Sequence, residues 1–239
     1  IKEDTGECEM FCIDISLEEQ KKAREQLYRN ASFDDLTELP NRRLMEAELT
    51  ARLDEASRHD QQVAVVFIDL DNFKLINDTL GHHQGDRLIK AVSEALKREV
   101  RDTDVLSRFG GDEFVLLLFD FNGPKCIEGL LHRLIGALDR GFTLDGDSYQ
   151  VTASFGISLF PDHGTTSVEL MGNADAAMYQ AKHKGKSSFA HFAPEMTEVS
   201  HERLKMESSM RRALELKEFE LYFQPIVNTD SGTLCSVEA

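Results

Sequence analysis

Two adjacent carboxylates, Asp112 and Glu113, directly follow a pair of glycines between two apolar segments, 105–109 and 114–119. A Gly-Gly pair can supply the positive φ angles that a two-residue hairpin turn requires. The pattern therefore predicts a β-hairpin that carries both acids at its tip. Because glycines have no side chains to obstruct a ligand, a bulky substrate could approach this turn closely. Paired acids at an open turn indicate a site for a divalent metal ion.

A second pair of acids stands at the end of the continuous apolar run 63–68, which predicts a buried central strand. Asp69 follows the run directly, where an unpaired charge near the core would be costly. If this strand pairs with the hairpin, Asp69 meets Asp112 and Glu113. Oxygen ligands of this kind suit Mg²⁺ (or Mn²⁺), which takes a few carboxylates together with substrate phosphates. Asp71 has a simpler interpretation, as the N-cap of the short helix that follows.

Composition limits the classes of function. The chain has 239 residues, of which 41% are hydrophobic, and this length suits one substantial core with flanking pieces. The net charge of −16 argues against a general nucleic-acid surface, which would be basic. A nucleotide substrate stays compatible with this charge, because metal ions and a few lysines can neutralise its phosphates. We therefore expect no nucleic-acid polymer as a partner.

The cysteines and the apolar runs bear on location. The four cysteines are scattered without the spacing of a zinc site or a disulfide framework, which predicts reduced thiols in the cytoplasm. No apolar run approaches the roughly 18 residues of a membrane span. We expect a cytoplasmic chain, although the parent protein could be associated with a membrane. Because Ile1 is not a natural start, we also expect an excised fragment.

The periodicity of apolar residues predicts helices and strands that could position the acids. Helices are predicted over 41–56, 84–100, 125–139 and 167–184, and strands over 63–68, the hairpin and 149–160. Strands and helices in this order indicate an α+β fold, with a central mixed, mainly antiparallel sheet flanked by helices.

Three unequal parts are predicted along the chain: 1–31, 32–193 and 194–239. Within the first part, 10–15 has the pattern of a strand, and a capping box at 16–19 starts a charged helix. This helix is interpreted as a connector from an upstream domain; the alternative is a surface helix of the central domain. The last part holds a predicted helix over 201–216 and a strand over 221–227, and it is too short to be a domain.

Several motifs in one order make the central part resemble the GGDEF family of diguanylate cyclases. They are DLTELPNRR at 35–43, DLDNFKLIND at 69–78, RFGGDEF at 108–114 and AKHKGK at 181–186. The resemblance implies a fold similar to nucleotidyl cyclases and polymerase palm domains. It also implies a reaction that joins two GTP molecules into cyclic di-GMP with release of pyrophosphate. Since that product has two-fold symmetry, the resemblance further implies a homodimer in which each domain holds one GTP.

The resemblance assigns roles to the acids. Asp69 and Asp112 match the family's metal-binding carboxylates, and the carbonyl of Leu70 is implied as a further ligand. Glu113 matches the second acid of the signature, which is needed for catalysis through the metal or through activation of the 3′-hydroxyl. The implied catalytic set is therefore Asp69, Asp112 and Glu113, and the implied metal ligands are these residues with Leu70.

The resemblance also implies a site that reads the guanine base. Asn77 and Asp86 match the pair that hydrogen-bonds the guanine edge. Asp86 can accept from the guanine N1–H and amino group, a pattern that adenine does not offer. The simpler interpretations are that Asn77 ends a short helix and that Asp86 is a helix N-terminal charge. His82 matches a frequent family position, where a structural hydrogen bond is favoured over proton transfer.

Phosphate binding is implied for a turn and two lysines. Phe73 and Lys74 match the phosphate-binding turn after the central strand. Lys182 and Lys186 match the basic residues that hold the triphosphate; the alternative is that they are solvated charges near a helix end. The family commonly has arginine at the position of Lys186, and lysine keeps the charge but loses the bidentate fork.

A regulatory site is implied just before the signature. Arg101 and Asp104 match the RxxD pattern of the family's inhibitory site, and Arg108 is predicted to assist them. Arginine can stack on guanine and grip phosphate, so we expect cyclic di-GMP to bind here and inhibit the enzyme. The alternatives are an exposed, salt-linked loop for the first two residues and a surface charge at a strand end for Arg108.

The two flanking parts carry further resemblances. Residues 1–31 resemble the end of a PAS sensory domain with its linker, and 194–239 resemble the beginning of an EAL phosphodiesterase domain that breaks off at Glu238 and Ala239.

Three functions stay open. They are an active cyclase, favoured because every acid is present, a GTP-binding regulatory module without turnover, and a cyclic di-GMP receptor acting through Arg101 and Asp104.

Overall fold

The computed structural model describes residues 4–196, with side chains from residue 17 onwards, and parts of the C-terminal segment. Those parts are 209, 213–214, 216, 218, 220, 222–229 and 231–238. The chain divides into two compact units, Ile1–Met196 and Thr197–Ala239. No helix among the described residues is long and apolar enough to cross a membrane.

The first unit alternates helices and strands. Its helices are α1 (Asp4–Ser32), α2 (Arg42–His59), α3 (Phe73–Leu80), α4 (His82–Glu99), α5 (Pro124–Asp139) and α6 (Ser167–Lys184). Its strands are β1 (Val63–Leu70), β2 (Val105–Gly110), β3 (Glu113–Leu118), β4 (Phe142–Leu144), β5 (Asp147–Tyr149), β6 (Ala153–Phe160) and β7 (Phe189–His191). The Asn41 side chain caps α2 by accepting from Leu44 N, and Thr166 with Glu169 forms a capping box that starts α6.

A five-stranded sheet in the order β2-β3-β1-β6-β7 forms the centre of the first unit. The β2/β3, β3/β1 and β1/β6 pairs are antiparallel, whereas β6 and β7 run parallel. The α+β fold with a mixed, mainly antiparallel sheet is therefore confirmed. β1 is buried along its whole length because it has a strand on each side and helices on both faces, which explains its unbroken apolar run.

Helices cover both faces of this sheet and create two cores. One core packs apolar residues of α4 and α5 against the sheet, among them Leu88, Val92, Leu131 and Leu134. The other packs α2 and α6 against the opposite face, through residues such as Met45, Leu49, Leu170 and Met178. Alternate residues of β3 enter alternate cores, as strand geometry requires. The three layers fix the strand ends, and with them the acids.

Two predicted strands differ from the structure. The strand predicted over 10–15 is wrong, because α1 runs without a break from Asp4 to Ser32. No strand in the described part of the chain pairs with this segment, and a lone strand cannot satisfy its backbone groups. The strand predicted over 149–160 is two strands: β5 pairs with β4, and β6 pairs with β1. The predicted strand is interrupted at residues 150–152 because β5 and β6 belong to different sheets.

The second unit contains one described hairpin, formed by β8 (Gln224–Val227) and β9 (Leu234–Glu238). β8 falls within the strand predicted over 221–227. Most of the helix predicted over 201–216 lies outside the described residues.

Candidate active site

The turn between β2 and β3 brings the signature acids to the end of β1. Glu113 is the first residue of β3 and lies opposite Asp69 in the antiparallel register. The Leu70 N–H donates to the Asp112 carbonyl over 3.2 Å, which fixes the turn against β1. Gly111 has a φ of +54°, a left-handed conformation that glycine adopts without steric cost. The fold thus brings Asp69, Asp112 and Glu113 together at one edge of the sheet.

Asp69 is a buried carboxylate with a cationic neighbour. The residue is 7% exposed, and Lys182 Nζ from α6 lies 2.5 Å from its Oδ1. Oδ1 is therefore a buried carboxylate oxygen that faces an ammonium group. Burial raises the pKa of Asp69, and the negative charges of Asp112 and Asp71 raise it further. The hydrogen bond and charge of Lys182 lower this pKa but do not cancel the rise. Asp69 is therefore a site where a further positive charge would be stabilising.

Glu113 shares this electrostatic environment with an acid that the sequence analysis missed. Burial raises the pKa of Glu113, and the negative charges of Asp69, Asp112 and Asp175 raise it further against the effect of Lys182. Asp175 lies on α6, two turns before Lys182 on the same face. Partial removal from water raises the pKa of Asp175 as well, while the charge of Lys182 lowers it. The i,i+7 spacing to Lys182 was the signal that could have found it.

No three His, Cys, Asp or Glu side chains in the described ranges are grouped closely enough to hold a metal ion by themselves. The acids at the hairpin therefore form an incomplete ligand set. Backbone carbonyls or substrate oxygens would have to complete the coordination of any cation bound here.

Asp71 is not the N-cap of α3. Its carboxylate is buried and accepts hydrogen bonds from Thr152 Oγ1 (2.7 Å), Ser154 Oγ (2.8 Å) and Ser187 N (3.1 Å). Asn72 occupies the N-cap position at a φ of +58° and makes no side-chain cap bond. The N-cap interpretation was wrong because donors from Thr152, Ser154 and Ser187, all distant in the sequence, satisfy this carboxylate.

The residues implied in base recognition lie where α3 and α4 meet. Asn77 is near the end of α3, and Asp86 is exposed in the first turns of α4. A Cβ atom on Gly85 would lie 1.9 Å from Asn77 Oδ1, so the absent side chain makes room for the Asn77 amide. His82 begins α4 and is exposed. The Asn77 amide thus lies against Gly85, the residue before Asp86, and the Asp86 side chain is exposed.

The residues implied in phosphate binding divide between the core and the surface. The Phe73 side chain is buried in the core, so only its backbone can face a ligand, whereas Lys74 is exposed. Lys186 follows α6, and its Nζ donates to Asn72 Oδ1 over 2.7 Å. Lys182 lies at Asp69, and Lys186 lies at the start of α3. Both lysines are therefore near the end of β1.

A separate cavity contains the residues implied in inhibition. Arg101 and Asp104 line it together with Arg133 and Cys126. Its remaining walls are apolar and come from β3, the following loop and α5: Leu118, Phe119, Phe121, Ile127 and Leu130. Burial raises the pKa of Asp104, while hydrogen bonds from the Phe119 and Arg101 backbone and the charge of Arg101 lower it. Arg133 is a second cation that the sequence analysis missed.

Arg108 is not among the residues that line this cavity, and its assisting role there stays a prediction. Its guanidinium pairs with Asp34 over 3.0 Å and donates to the Gly111 carbonyl over 2.7 Å. Burial alone would raise the pKa of Asp34, but the hydrogen bonds from Thr37 and Arg108 hold it below its ordinary value. In this structure, Arg108 ties the Gly-Gly turn to the segment that follows α1.

Comparison with known proteins identifies similar sequences. Residues 31–188 match the family described as "Diguanylate cyclase, GGDEF domain". The bifunctional diguanylate cyclase/cyclic di-GMP phosphodiesterase MucR of Pseudomonas aeruginosa is 39% identical over 91% of this chain and 32% of its own length. The cyclic di-GMP phosphodiesterase NbdA of the same species is 36% identical over 95% of this chain and 29% of its own length. The chain spans about a third of the length of these relatives.

Solved structures resemble the first unit. A GGDEF-domain structure of PA1120 (TpbB or YfiN) from Pseudomonas aeruginosa superposes with a TM-score of 0.69 and 34% identity, covering 71% of this chain and 99% of that one. The coiled coil and GGDEF domain of DgcB from Caulobacter crescentus, in complex with c-di-GMP, gives a TM-score of 0.70 and 25% identity. That match covers 77% of this chain and 98% of DgcB's.

Proposed function

The chain belongs to the family of diguanylate cyclase GGDEF domains, and we propose that it condenses two GTP molecules into cyclic di-GMP and two pyrophosphates. The observation that carries this proposal is the convergence of Asp69, Asp112 and Glu113 beside Lys182 at one edge of the sheet. A role in cyclic di-GMP synthesis agrees with the family and with relatives named as cyclases.

The acid set suits a hard divalent cation such as Mg²⁺ or Mn²⁺. Asp69 Oδ1 is a buried oxygen whose cationic neighbour is Lys182, and burial together with neighbouring carboxylates raises the pKa values of Asp69 and Glu113. A bound cation would remove both costs. Asp69, Asp112, Glu113 and the Leu70 carbonyl would hold it. When bound, it would neutralise phosphate charge and lower the pKa of the attacking hydroxyl.

The protein residues would bind and orient each GTP. Asn77 would hydrogen-bond to the guanine edge, and the exposed carboxylate of Asp86 would accept from the guanine N1–H and amino group, which favours guanine over adenine. Lys182, Lys186, Lys74 and the backbone at Phe73 would bind the triphosphate. His82 would support the base site through a hydrogen bond, as the sequence predicts.

The reaction requires two copies of the domain. The 3′-hydroxyl oxygen of each GTP forms a bond to the α-phosphorus of the other, and the bond from that phosphorus to the pyrophosphate oxygen breaks. We propose that the Glu113 carboxylate is the base that accepts each hydroxyl proton and passes it to solvent. A single domain holds one GTP, so a homodimer places the two substrates head to tail.

The two flanking segments would join the cyclase domain to further domains. We propose that residues 1–31 connect the cyclase domain to an upstream sensory domain, and that 194–239 begin a downstream EAL domain.

Turnover is tested by incubating the purified chain with GTP and Mg²⁺ and separating the nucleotides by chromatography. We expect cyclic di-GMP and pyrophosphate at a molar ratio of 1:2, and no cyclic product from ATP. Glu113→Gln, which preserves shape but removes the charge, should abolish product while GTP still binds. GTP binding without product in the wild-type chain would favour the regulatory module over the cyclase.

A second candidate function is reception of cyclic di-GMP at the RxxD cavity. Arg101, Asp104 and Arg133 line this cavity, and two guanidinium groups suit a ligand with two guanines and two phosphates. In the cyclase, the same binding would produce feedback inhibition. We expect Arg101→Ala to weaken cyclic di-GMP binding about tenfold. Arg98→Ala is a matched control, because Arg98 is exposed on α4 and pairs with Glu94; unchanged binding in Arg101→Ala would contradict the assignment.

A further inference from the structure

Two loops with left-handed backbone lie against each other at the end of β1. Asn72, before α3, has a φ of +58°, and Lys186 and Ser187, after α6, have φ values of +59° and +44°. Residues other than glycine occupy this region at an energetic cost, and they stay there only where surrounding bonds hold them. The two loops contain the turn and one of the lysines to which we assign the triphosphate.

A pair of hydrogen bonds joins these loops. The Ser187 N–H donates to Asp71 Oδ2 over 3.1 Å, and Lys186 Nζ donates to Asn72 Oδ1 over 2.7 Å. The Lys186 N–H also donates to Ala181 O at the end of α6 over 3.3 Å. The backbone after α6 is therefore held on one side by its own helix and on the other by Asp71.

Asp71 is anchored independently of this loop. Its carboxylate is 5% exposed and accepts from the hydroxyls of Thr152 and Ser154, and its N–H donates to the Thr152 carbonyl over 2.8 Å. These bonds fix the carboxylate against β6 and its preceding residue, independently of its bond to the loop after α6. A rigid acceptor of this kind can select one conformation of a flexible partner.

We propose that Asp71 is a positioning residue for Lys186: it holds Ser187 and thereby fixes the left-handed conformation that directs Lys186 towards the triphosphate. The proposal rests on the proposed function, since it assigns Lys186 to the triphosphate of GTP. Asp71 itself does not touch the nucleotide. It acts only through the loop, so its loss should affect the triphosphate and leave the guanosine part unaffected.

The test compares the binding of two nucleotides to the full chain by calorimetry. The probes are GMP and guanosine 5′-(α,β-methylene)triphosphate, which cannot be cyclised. We expect Asp71→Ala to weaken the triphosphate about tenfold and to change GMP affinity less than about twofold. Lys186→Met should give the same pattern, and the double variant should be no worse than either single one, because both remove one interaction.

Two controls separate positioning from general structure. Thr152→Val and Ser154→Ala each remove one bond to the same carboxylate but keep it as an acceptor for the Ser187 N–H, so each should weaken triphosphate binding less than Asp71→Ala does and leave GMP affinity unchanged. Asp71→Asn keeps an oxygen for the Ser187 N–H and should restore most of the triphosphate affinity. Equal losses for GMP and triphosphate in a folded Asp71→Ala variant, or no loss for either, would overturn the proposal.

If Asp71→Ala does not fold, hydrogen exchange at the Ser187 amide of the wild-type chain tests the positioning role. The Ser187 amide should be protected from hydrogen exchange in the nucleotide-free protein, because it donates to a buried carboxylate. Exchange at the rate of a free peptide would overturn the positioning role. Failure of the wild-type chain to bind either nucleotide would instead contradict the proposed function, so the two failures are distinguishable.

Discussion

Negative charge is concentrated at Asp69, Glu113 and Asp175, whose pKa values are all raised. Burial contributes first in each case, and mutual repulsion adds to it for Asp69 and Glu113. Lys182 is the cation that opposes these rises. Ionising these acids in the folded chain therefore costs stability, and the cation that we propose for this site would offset that cost.

Glu113→Gln should stabilise the cation-free protein at high pH. An acid whose folded pKa is raised holds its proton more tightly in the folded state, so the wild type loses stability as pH rises through that pKa. Glutamine avoids this loss, worth about 1.4 kcal/mol for each unit of pKa elevation. We expect a higher melting temperature for the variant at pH 8 with a chelator present, and no difference at acidic pH where Glu113 is protonated. A variant that is less stable at pH 8 would contradict the repulsion.

Gly85→Ala should weaken recognition of guanine while leaving the fold intact. The new Cβ would lie 1.9 Å from Asn77 Oδ1, and that flexible side-chain end must move away. Loss of one hydrogen bond to the base should lower the affinity for GTP about tenfold and reduce its preference over ATP. Gly136→Ala, on the exposed side of α5 with nothing within 4 Å of the new atom, is the matched control. Equal GTP affinities in both variants would exclude the role of Gly85.

The sequence was informative about residues where chemistry and spacing coincide. The apolar run before Asp69 and the Gly-Gly turn before Asp112 indicated a shared edge, and the register of β1 with β3 brings these acids together. Asp71 was misinterpreted as a helix cap because its partner Ser154 is distant in the sequence. The pairing of Arg108 with Asp34 could not be predicted for the same reason. Local patterns predict caps and strand ends, but not which of several nearby groups a buried side chain will satisfy.

Among the elements, α6 has the closest contact with the sheet. A Cβ atom on Gly156 of β6 would lie 2.0 Å from both Ala174 O and Met178 N, so the helix backbone rests directly on the strand. This close approach sets the position of Lys182 and Asp175 relative to Asp69. The sequence predicted both elements, but it did not reveal their separation, because the reason is the absence of a side chain at one strand position.

Gly156→Ala should therefore destabilise the first unit, since the clash is with backbone that cannot turn away. We expect a loss of about 3 kcal/mol or more in the free energy of unfolding, measured with urea. Gly172→Ala, also at α6 but with nothing within 4 Å of the new atom, should be neutral or slightly stabilising. An equal effect of the two substitutions would show that the approach of α6 is not constrained by Gly156.

At the scale of the whole molecule, the first unit begins with α1, a helix whose described side chains up to Ala31 are exposed. Its exposed apolar residues include Leu17, Leu27 and Tyr28. A helix of this kind gains stability from a partner, and a second copy of the chain would bring two nucleotide sites into one assembly. Arg108 then links the end of α1 to the Gly-Gly turn through Asp34 and the Gly111 carbonyl.

Removal of residues 1–30 should lower the cyclase activity per chain at micromolar concentration, while GTP binding stays unchanged. The reason is that each domain keeps its own nucleotide site but loses the segment that we expect to pair the domains. Activity should recover when the shortened chain is fused to a dimeric coiled coil, which raises the effective concentration of one domain near the other. Full activity in the shortened chain without the fusion would contradict this role of α1.

The most direct test of the account is the amount of cyclic di-GMP formed from GTP and Mg²⁺ by a chain that is held as a dimer and freed of bound product. Chromatography with mass detection identifies the dinucleotide and pyrophosphate in the same sample. The account predicts cyclic di-GMP in the wild-type dimer and none in the matched Glu113→Gln dimer. A wild-type dimer that binds GTP but forms no cyclic di-GMP at high protein concentration would contradict it.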